Sequence, residues 1–161
     1  MTTINGLPAH VLLVHLIVVL VPLTALLALL SALWPAARQR LIWLTVALAL
    51  FTAVVTPLTA SAGEWLEHRV GRSAVLHTHT ELGDTMAYFS VALLIAVGLL
   101  AFIHYRQART GATSGLARGL VVTLVVLASV AASVQIYRIG DSGAQATWGD
   151  RTGVAADDSS D

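Results

Sequence analysis

Residues 7–34 read LPAHVLLVHLIVVLVPLTALLALLSALW and contain no charged side chain. About 20 consecutive apolar residues are enough for a helix to cross the hydrocarbon core of a membrane. A secretory signal peptide does not explain this stretch, because no basic residue precedes it and it is too long for the apolar part of such a signal. The segment therefore predicts a retained transmembrane helix that begins near Pro8, since proline is favoured in a first turn.

Three further stretches have the same character. Residues 41–63, 85–105 and 119–137 lack Asp, Glu, Lys and Arg, and their apolar residues do not alternate with polar ones as in a membrane strand. The sequence therefore predicts an all-α, integral membrane four-helix bundle over residues 1–139 and a polar outer tail over 140–161. The four helices are expected at about 8–34, 41–66, 74–106 and 117–139. The tail opens with Gly-Asp-Ser-Gly, a turn-forming string.

Composition excludes several classes of protein. Hydrophobic residues make up 57% of the chain and charged residues only 11%, whereas an ordinary soluble domain is about half apolar and about a quarter charged. The formal net charge is zero, which leaves no basic surface for nucleic acid. The chain has no cysteine, so thiolate metal sites, cysteine-held iron–sulfur clusters and covalently attached haem are excluded.

Arginines and acids are distributed unequally between the two sides of the predicted bundle. The connections after the first and third helices carry no acid and five arginines, namely Arg38, Arg40, Arg106, Arg109 and Arg118. All nine acids lie on the other side, together with the remaining four arginines. Because Lys and Arg are enriched in cytoplasmic loops, both termini and segment 63–84 are expected on the outer, periplasmic side of the membrane.

Histidines collect towards the outer side. Five of the six lie there: His10, His15, His68, His77 and His79. Ionisable groups at membrane depth are costly and are functional candidates by default. His15 lies about 7.5 Å deeper than His10 along a helix, inside the hydrocarbon boundary. It is interpreted either as a metal or haem ligand or proton-transfer group, or as a neutral ring bonded to a neighbouring helix.

The third predicted helix presents its polar residues on two faces. His77, Glu81, Asp84 and Tyr88 follow a helical repeat and share one face. His79 lies about 200° away from His77 around the helix and shares its face with Gly83. At most one of the two histidines can therefore point into the bundle. Gly83, one turn from His79, leaves room beside that ring for a flat or bulky group.

A second set of polar residues has the composition of a metal site. Glu64 and His68 are four residues apart, as are His77 and Glu81, and Asp84 is nearby. Two nitrogens with carboxylates suit zinc, iron or manganese. Solvated helix faces carry the same pairs, so that interpretation stays open. The fourth helix brings three further polar residues towards the outer side: Gln135, Tyr137 and Asp141. No internal repeat is evident in the sequence.

The chain resembles a family of uncharacterised bacterial four-helix membrane proteins, in an actinobacterial-type branch. The resemblance is carried by the strings GEWLE at 63–67, HTELGD at 79–84 and YRIGDSGA at 137–144, and by a first helix similar to an HPxxVHFP signature. Here that signature keeps His10 and His15 and lacks its prolines and phenylalanine. The resemblance implies a multi-pass protein of the bacterial plasma membrane and, through relatives found beside cytochrome-like modules, membrane redox chemistry. The residues it marks are His10, His15, His79, Gly83 and Asp141.

These sequence features are consistent with two functions. In the first, b-type haem or a transition metal serves membrane electron transfer, with a ligand from His10 or His15 and another from His79, beside Gly83. His10 matches His79 better in depth. Glu81 or Asp84 would orient a ligand by hydrogen bonding. In the second, the protein is a non-catalytic accessory subunit of a membrane complex, and the polar cluster only holds the helix ends together.

A third function, ion or proton transport, is disfavoured within a monomer. The second and third helices are nearly bare of polar groups through the midplane, apart from threonines and serines. The expected partners are the lipid bilayer, a redox or other membrane-complex protein, and a second copy of the chain.

Overall fold

The computed structural model describes residues 3–4, 7–70, 74–111 and 114–148. Four helices account for nearly all of them: α1 (Ala9–Leu33), α2 (Pro35–Val70), α3 (Ala74–Thr110) and α4 (Gly115–Trp148). A short antiparallel ladder precedes α1, in which β1 (Thr3–Ile4) pairs with β2 (Leu7–Pro8). Each helix contains a span long and apolar enough to cross a membrane. The predicted all-α bundle of four candidate transmembrane helices is confirmed.

The helices form a closed ring in chain order. Each helix packs against the next, and α4 returns to pack against α1, whereas α1 and α3 face each other diagonally with few contacts. Small side chains line the interior, including Ala28, Ala49 and Ala132, which permits close helix packing. Large apolar side chains such as Leu26 and Leu127 are exposed on the outside. This is the arrangement expected of a bundle that is surrounded by lipid.

The start of α2 and the end of α4 differ most from the sequence expectation. Helix α2 begins at Pro35 rather than near residue 41, because proline lacks an N–H and is accommodated in a first turn. Helix α4 continues to Trp148, through the Gly-Asp-Ser-Gly string that was expected to form a turn at the start of a polar tail. Local turn propensity is overridden there by contacts that Ser142 and Gly143 make with α3, which are described below.

The hairpin α1–α2 and the hairpin α3–α4 repeat one pattern of burial. Ile17, Val21 and Ala28 in α1 are buried, and so are Met86, Ser90 and Val97 at the same spacing in α3. The same correspondence holds in the other two helices, as a second set of buried pairs illustrates: Thr45 with Val125, Ala49 with Ser129, and Thr52 with Ala132. The bundle is therefore built from two similar hairpins with approximate two-fold symmetry. The relationship is not evident in the sequence, because most equivalent positions hold different residues.

Candidate functional site

A cavity lies between the helix ends that carry the N-terminus of α1 and the C-terminus of α4. All four helices line it, with His10, Val14, Ile17 and Val18 from α1, Thr56, Thr59 and Ala60 from α2, His79, Gly83 and Met86 from α3, and Ile136 and Ile139 from α4. Its volume is about 50 Å³, which is space for a few water molecules. Two imidazoles thus meet in a mostly apolar cavity.

His10 is held against α2. Its Nδ1 lies 3.1 Å from the carbonyl oxygen of Thr59. A carbonyl only accepts hydrogen bonds, so Nδ1 carries the proton and donates, and Nε2 of the neutral ring keeps its lone pair. The ring lies on Gly63, where an added Cβ would come within 2.9 Å of the His10 Cε1. Glycine is therefore the residue that lets this ring approach α2 closely.

His79 is held against α4 in the same way. Its Nδ1 lies 3.0 Å from the Ser142 Oγ, and that hydroxyl donates to the Ile139 carbonyl at 3.0 Å. Since the hydroxyl has one hydrogen, Nδ1 of His79 is the donor to Ser142 and its Nε2 keeps the lone pair. An added Cβ on Gly143 would lie 3.0 Å from the His79 Cε1.

The two histidines occupy equivalent positions in the two hairpins. Thr59 precedes Gly63 by one helical turn, and Ile139 precedes Gly143 by the same interval. The rings come from the diagonal helices α1 and α3, and they lie close enough for charge on one to affect the other. A neutral imidazole with its Nδ1–H fixed by a protein acceptor is the usual form of a metal-ligating histidine. Chemically, the site offers two such rings.

The other residues predicted to bind a cofactor differ in their surroundings. Gly83 lines the cavity, and apart from the backbone around it no atom lies within 4 Å of where its Cβ would be. His15 is exposed on the outside of α1 and is not among the residues that line the cavity. The structure therefore brings together His10, His79 and Gly83 and leaves His15 apart from them.

The described members of the second predicted metal set lie on the surface of the bundle. His77 Nε2 lies 3.4 Å from Glu81 Oε1, and both side chains are about two-thirds exposed. Glu64 and Asp84 are also exposed, and the side chain of His68 lies outside the described residues. Within the parts of the chain that the structure describes, no group of three or more His, Cys, Asp or Glu side chains could hold a metal ion.

The polar residues expected from the fourth helix do not converge on the cavity. Gln135 is buried, and its Nε2 donates to the Leu82 carbonyl at 3.1 Å and to Thr85 Oγ1 at 2.7 Å. Tyr137 is exposed. Asp141 is exposed as well, and its Oδ2 accepts a hydrogen bond from Gln145 at 3.0 Å. Gln135 thus connects α4 to α3, while the other two lie on the surface.

Sequence reasoning did not identify the residues that hold the two imidazoles. These are Thr59, Gly63, Ser142 and Gly143. A usable signal exists, because Ala62-Gly63 and Ser142-Gly143 are each a small residue followed by glycine near the end of a long helix. Small residues at such positions permit close approach between helices. The signal can be interpreted only after α1 is aligned with α3 and α2 with α4, because the alignment places Gly63 and Gly143 at equivalent positions.

Comparison with known protein families finds one match. The model of a family described as predicted membrane protein, DUF2231, matches residues 6–156, nearly the whole chain. Comparisons with curated proteins and with solved structures find no match. The four long apolar helices agree with the description of the family as membrane proteins. The chain belongs to the predicted membrane protein family DUF2231.

Proposed function

We propose that His10 and His79 are the axial ligands of a b-type haem or another redox-active metal centre, and that the protein transfers electrons in the bacterial plasma membrane. One observation carries the proposal. Two imidazoles from diagonal helices line one cavity, and each has its Nδ1–H fixed so that Nε2 is left for a ligand. Both termini and this cavity would lie on the outer side, within reach of a periplasmic redox partner.

The number of ligands favours haem over a bare ion. Haem iron brings four equatorial nitrogens and needs only two axial ligands from the protein. A zinc, copper or non-haem iron ion needs about four protein or water ligands. The described residues supply two imidazoles at the cavity and no third histidine or carboxylate close enough to join them.

The size of the cavity adds a condition. At about 50 Å³ it accommodates an ion with a few waters but not a porphyrin. Haem would therefore require the helix ends around the cavity to separate. The contact between α1 and α4 is the least extensive between neighbouring helices, so this side would open most readily. Gly83 adds free space on α3, where any side chain would narrow the cavity.

An accessory role is the alternative, and the same hydrogen bonds support it. His10 connects α1 to α2, and His79 connects α3 to α4. Polar groups that connect helices stabilise membrane bundles by roughly 0.6 kcal/mol each and need no cofactor. On this alternative, the two histidines hold the hairpins in place for a partner complex.

The test is an absorption spectrum of detergent-purified protein, oxidised and dithionite-reduced, with metal analysis of the same sample. The cells must be supplied with haem and metals. We expect a Soret band with sharp α and β bands after reduction, and about one iron per chain. The single substitutions His10→Ala and His79→Ala should each abolish the low-spin spectrum, because each removes an axial ligand.

Two exposed histidines provide matched controls. His15→Ala and His77→Ala remove the same side chain from the same helices but from outside the cavity. Both should leave the spectrum unchanged. A metal ion found at one per chain without haem would assign the site to a bare ion. A folded protein that is colourless and free of metal would refute the redox proposal and favour the accessory role.

A further inference from the structure

A second cavity lies at the opposite end of the bundle, where α2 and α4 begin. Its volume is about 290 Å³, and its lining includes Arg38, Arg118, His104 and Gln107. These side chains are cations or can donate hydrogen bonds. Their composition is opposite to that of the apolar histidine cavity and suits a negatively charged ligand.

Arg38 is the central residue of this cavity. Its side chain is only 5% exposed, yet its Nη1 has no hydrogen-bond partner among the residues that the structure describes. A buried guanidinium without a carboxylate is unfavourable, because it loses hydration without gaining an ion pair. An unsatisfied donor in this position is available to an acceptor beyond the residues that the structure describes, such as a bound anion.

Arg118 adds to the excess of positive charge. It occupies the position in α4 that corresponds to Arg38 in α2, and the two guanidiniums are close enough to repel each other. The sequence offers no compensating carboxylate nearby, since residues 34–63 and 85–140 contain no Asp or Glu. The symmetry that pairs two histidines at one end thus pairs two arginines at the other.

Backbone groups reinforce the preference for an anion. Helices α2 and α4 both start at this end, at Pro35 and Gly115. The N-terminus of a helix carries a partial positive charge and unpaired N–H groups. By themselves these termini would not define a site, but their partial positive charge also favours an anion.

The position of the cavity indicates the source of the anion. Trp34 and Trp43 flank Arg38 in the sequence and are about 60% exposed. Exposed tryptophans at helix ends are typical of the level of lipid headgroups. We propose that Arg38 and Arg118 together bind the phosphate of an anionic phospholipid headgroup, with Arg38 Nη1 as a direct donor. This site is independent of any cofactor at the histidine cavity.

The test is a lipid titration of the full chain in a neutral detergent, followed by thermal unfolding and by native mass spectrometry. Phosphatidylglycerol should raise Tm and remain bound, whereas phosphatidylcholine should do neither. Arg38→Gln and Arg118→Gln should each weaken the apparent affinity about fivefold, and the double substitution more. Arg40→Gln is the matched control, because Arg40 is an exposed arginine on the same helix end. It should leave the affinity nearly unchanged.

Other outcomes would overturn the proposal. If inorganic phosphate at equal concentration raises Tm as much as phosphatidylglycerol, the anion is free phosphate and not a lipid. If phosphatidylglycerol acts equally on the wild type and the double variant, the site is refuted. If Arg38→Gln fails to fold, the half-buried Arg118 still decides the matter: an Arg118→Gln affinity equal to that of the Arg40→Gln control refutes the site.

Discussion

Each end of the bundle has a pair of residues at equivalent positions of the two hairpins, and the two pairs differ in whether their hydrogen-bonding groups have partners. At one end, His10 and His79 face a cavity and each has a hydrogen-bond acceptor from its own hairpin. At the other end, Arg38 and Arg118 face a cavity, and Arg38 Nη1 has no partner among the described residues. Both pairs come from equivalent positions in the two hairpins. The same symmetry has therefore produced one satisfied end and one unsatisfied end.

The difference follows from what each side chain can do in a dry environment. A neutral imidazole donates one proton to a carbonyl or hydroxyl, keeps one lone pair, and carries no charge. Two neutral rings can therefore face each other at little cost. A guanidinium cannot lose its charge, so two of them side by side repel and require an anion. The hydrogen bonds at the histidine end are satisfied without a ligand, whereas the positive charge at the arginine end is balanced only when an anion is bound.

The largest effect is expected where a methyl group would collide with the held imidazoles. Gly63→Ala would place Cβ 2.9 Å from the His10 Cε1, and Gly143→Ala would place it 3.0 Å from the His79 Cε1. Each should push its ring away from its acceptor and lower the free energy of unfolding by about 2 kcal/mol, as overpacking does. Denaturant unfolding in detergent micelles measures this change.

Gly98→Ala is the control for these substitutions. Gly98 lies within α3, and nothing approaches its Cβ position within 4 Å. Alanine should therefore stabilise the helix, by about 0.5–1 kcal/mol, because it restricts the unfolded chain more than glycine does. If Gly63→Ala behaved like Gly98→Ala, the close approach of His10 to α2 would be wrong.

The second prediction concerns the arginine end. Arg38→Met replaces a buried charge with a shorter, unbranched apolar side chain. In neutral detergent without anionic lipid, the substitution should stabilise the protein by about 1–2 kcal/mol, because it removes an unpaired charge and an unsatisfied donor. Added phosphatidylglycerol should narrow the difference in stability, since it binds the wild type more tightly than the variant and so stabilises the wild type more. A destabilised variant under lipid-free conditions would mean that the Arg38 guanidinium already has a partner.

The fold was predictable because charge and length determine it. Uninterrupted apolar runs such as 7–34 and 41–63 predict spans directly, since few other structures accommodate them. Boundaries were less predictable. The string Gly140 to Gly143 has turn propensity, but Ser142 bonds to His79 and Gly143 packs under the same ring, so the helix continues. Those contacts come from a residue far away in the sequence and leave no local signal.

The site was predictable only in part. Helical phase separates His77 from His79 around α3, and the structure likewise has His77 exposed and His79 at the cavity. Depth along α1 favoured His10 over His15 as the partner of His79, and His10 does line the cavity. The sequence could not tell which face of α1 is covered by α2, so both histidines stayed candidates. In the sequence, Arg38 and Arg118 were recognised only as positive charges in the connections between helices. Its significance depends on the burial of Arg38, which follows from how the helices pack.

A third prediction tests the symmetry in the middle of the helices. Gln135 in α4 is buried and donates to Leu82 and Thr85, whereas Val55 is buried at the equivalent position in α2. Gln135→Val makes the two hairpins alike at this position. It should reduce the free energy of unfolding by about 1 kcal/mol, because interhelical hydrogen bonds in membranes have effects of that order. Val55→Gln is the reciprocal test and should destabilise more, because α1 has Leu16 where α3 has Thr85, and leucine has no hydroxyl to accept from the amide.

The smallest effect is expected for a hydroxyl pair that connects α1 to α2 near the centre of the bundle. Thr24 Oγ1 and Thr52 Oγ1 are 3.4 Å apart, which is long for an O–H···O bond. Their equivalents in the other hairpin are Leu93 and Ala132, which have no hydroxyl. Thr24→Val should therefore change the free energy of unfolding by only a few tenths of a kcal/mol, because the shape of the side chain is kept and a weak contact is lost. A loss above about 1 kcal/mol in the same unfolding assay would mean that the first hairpin depends on a polar contact that the second lacks. The two halves would then share a burial pattern but differ in what stabilises them.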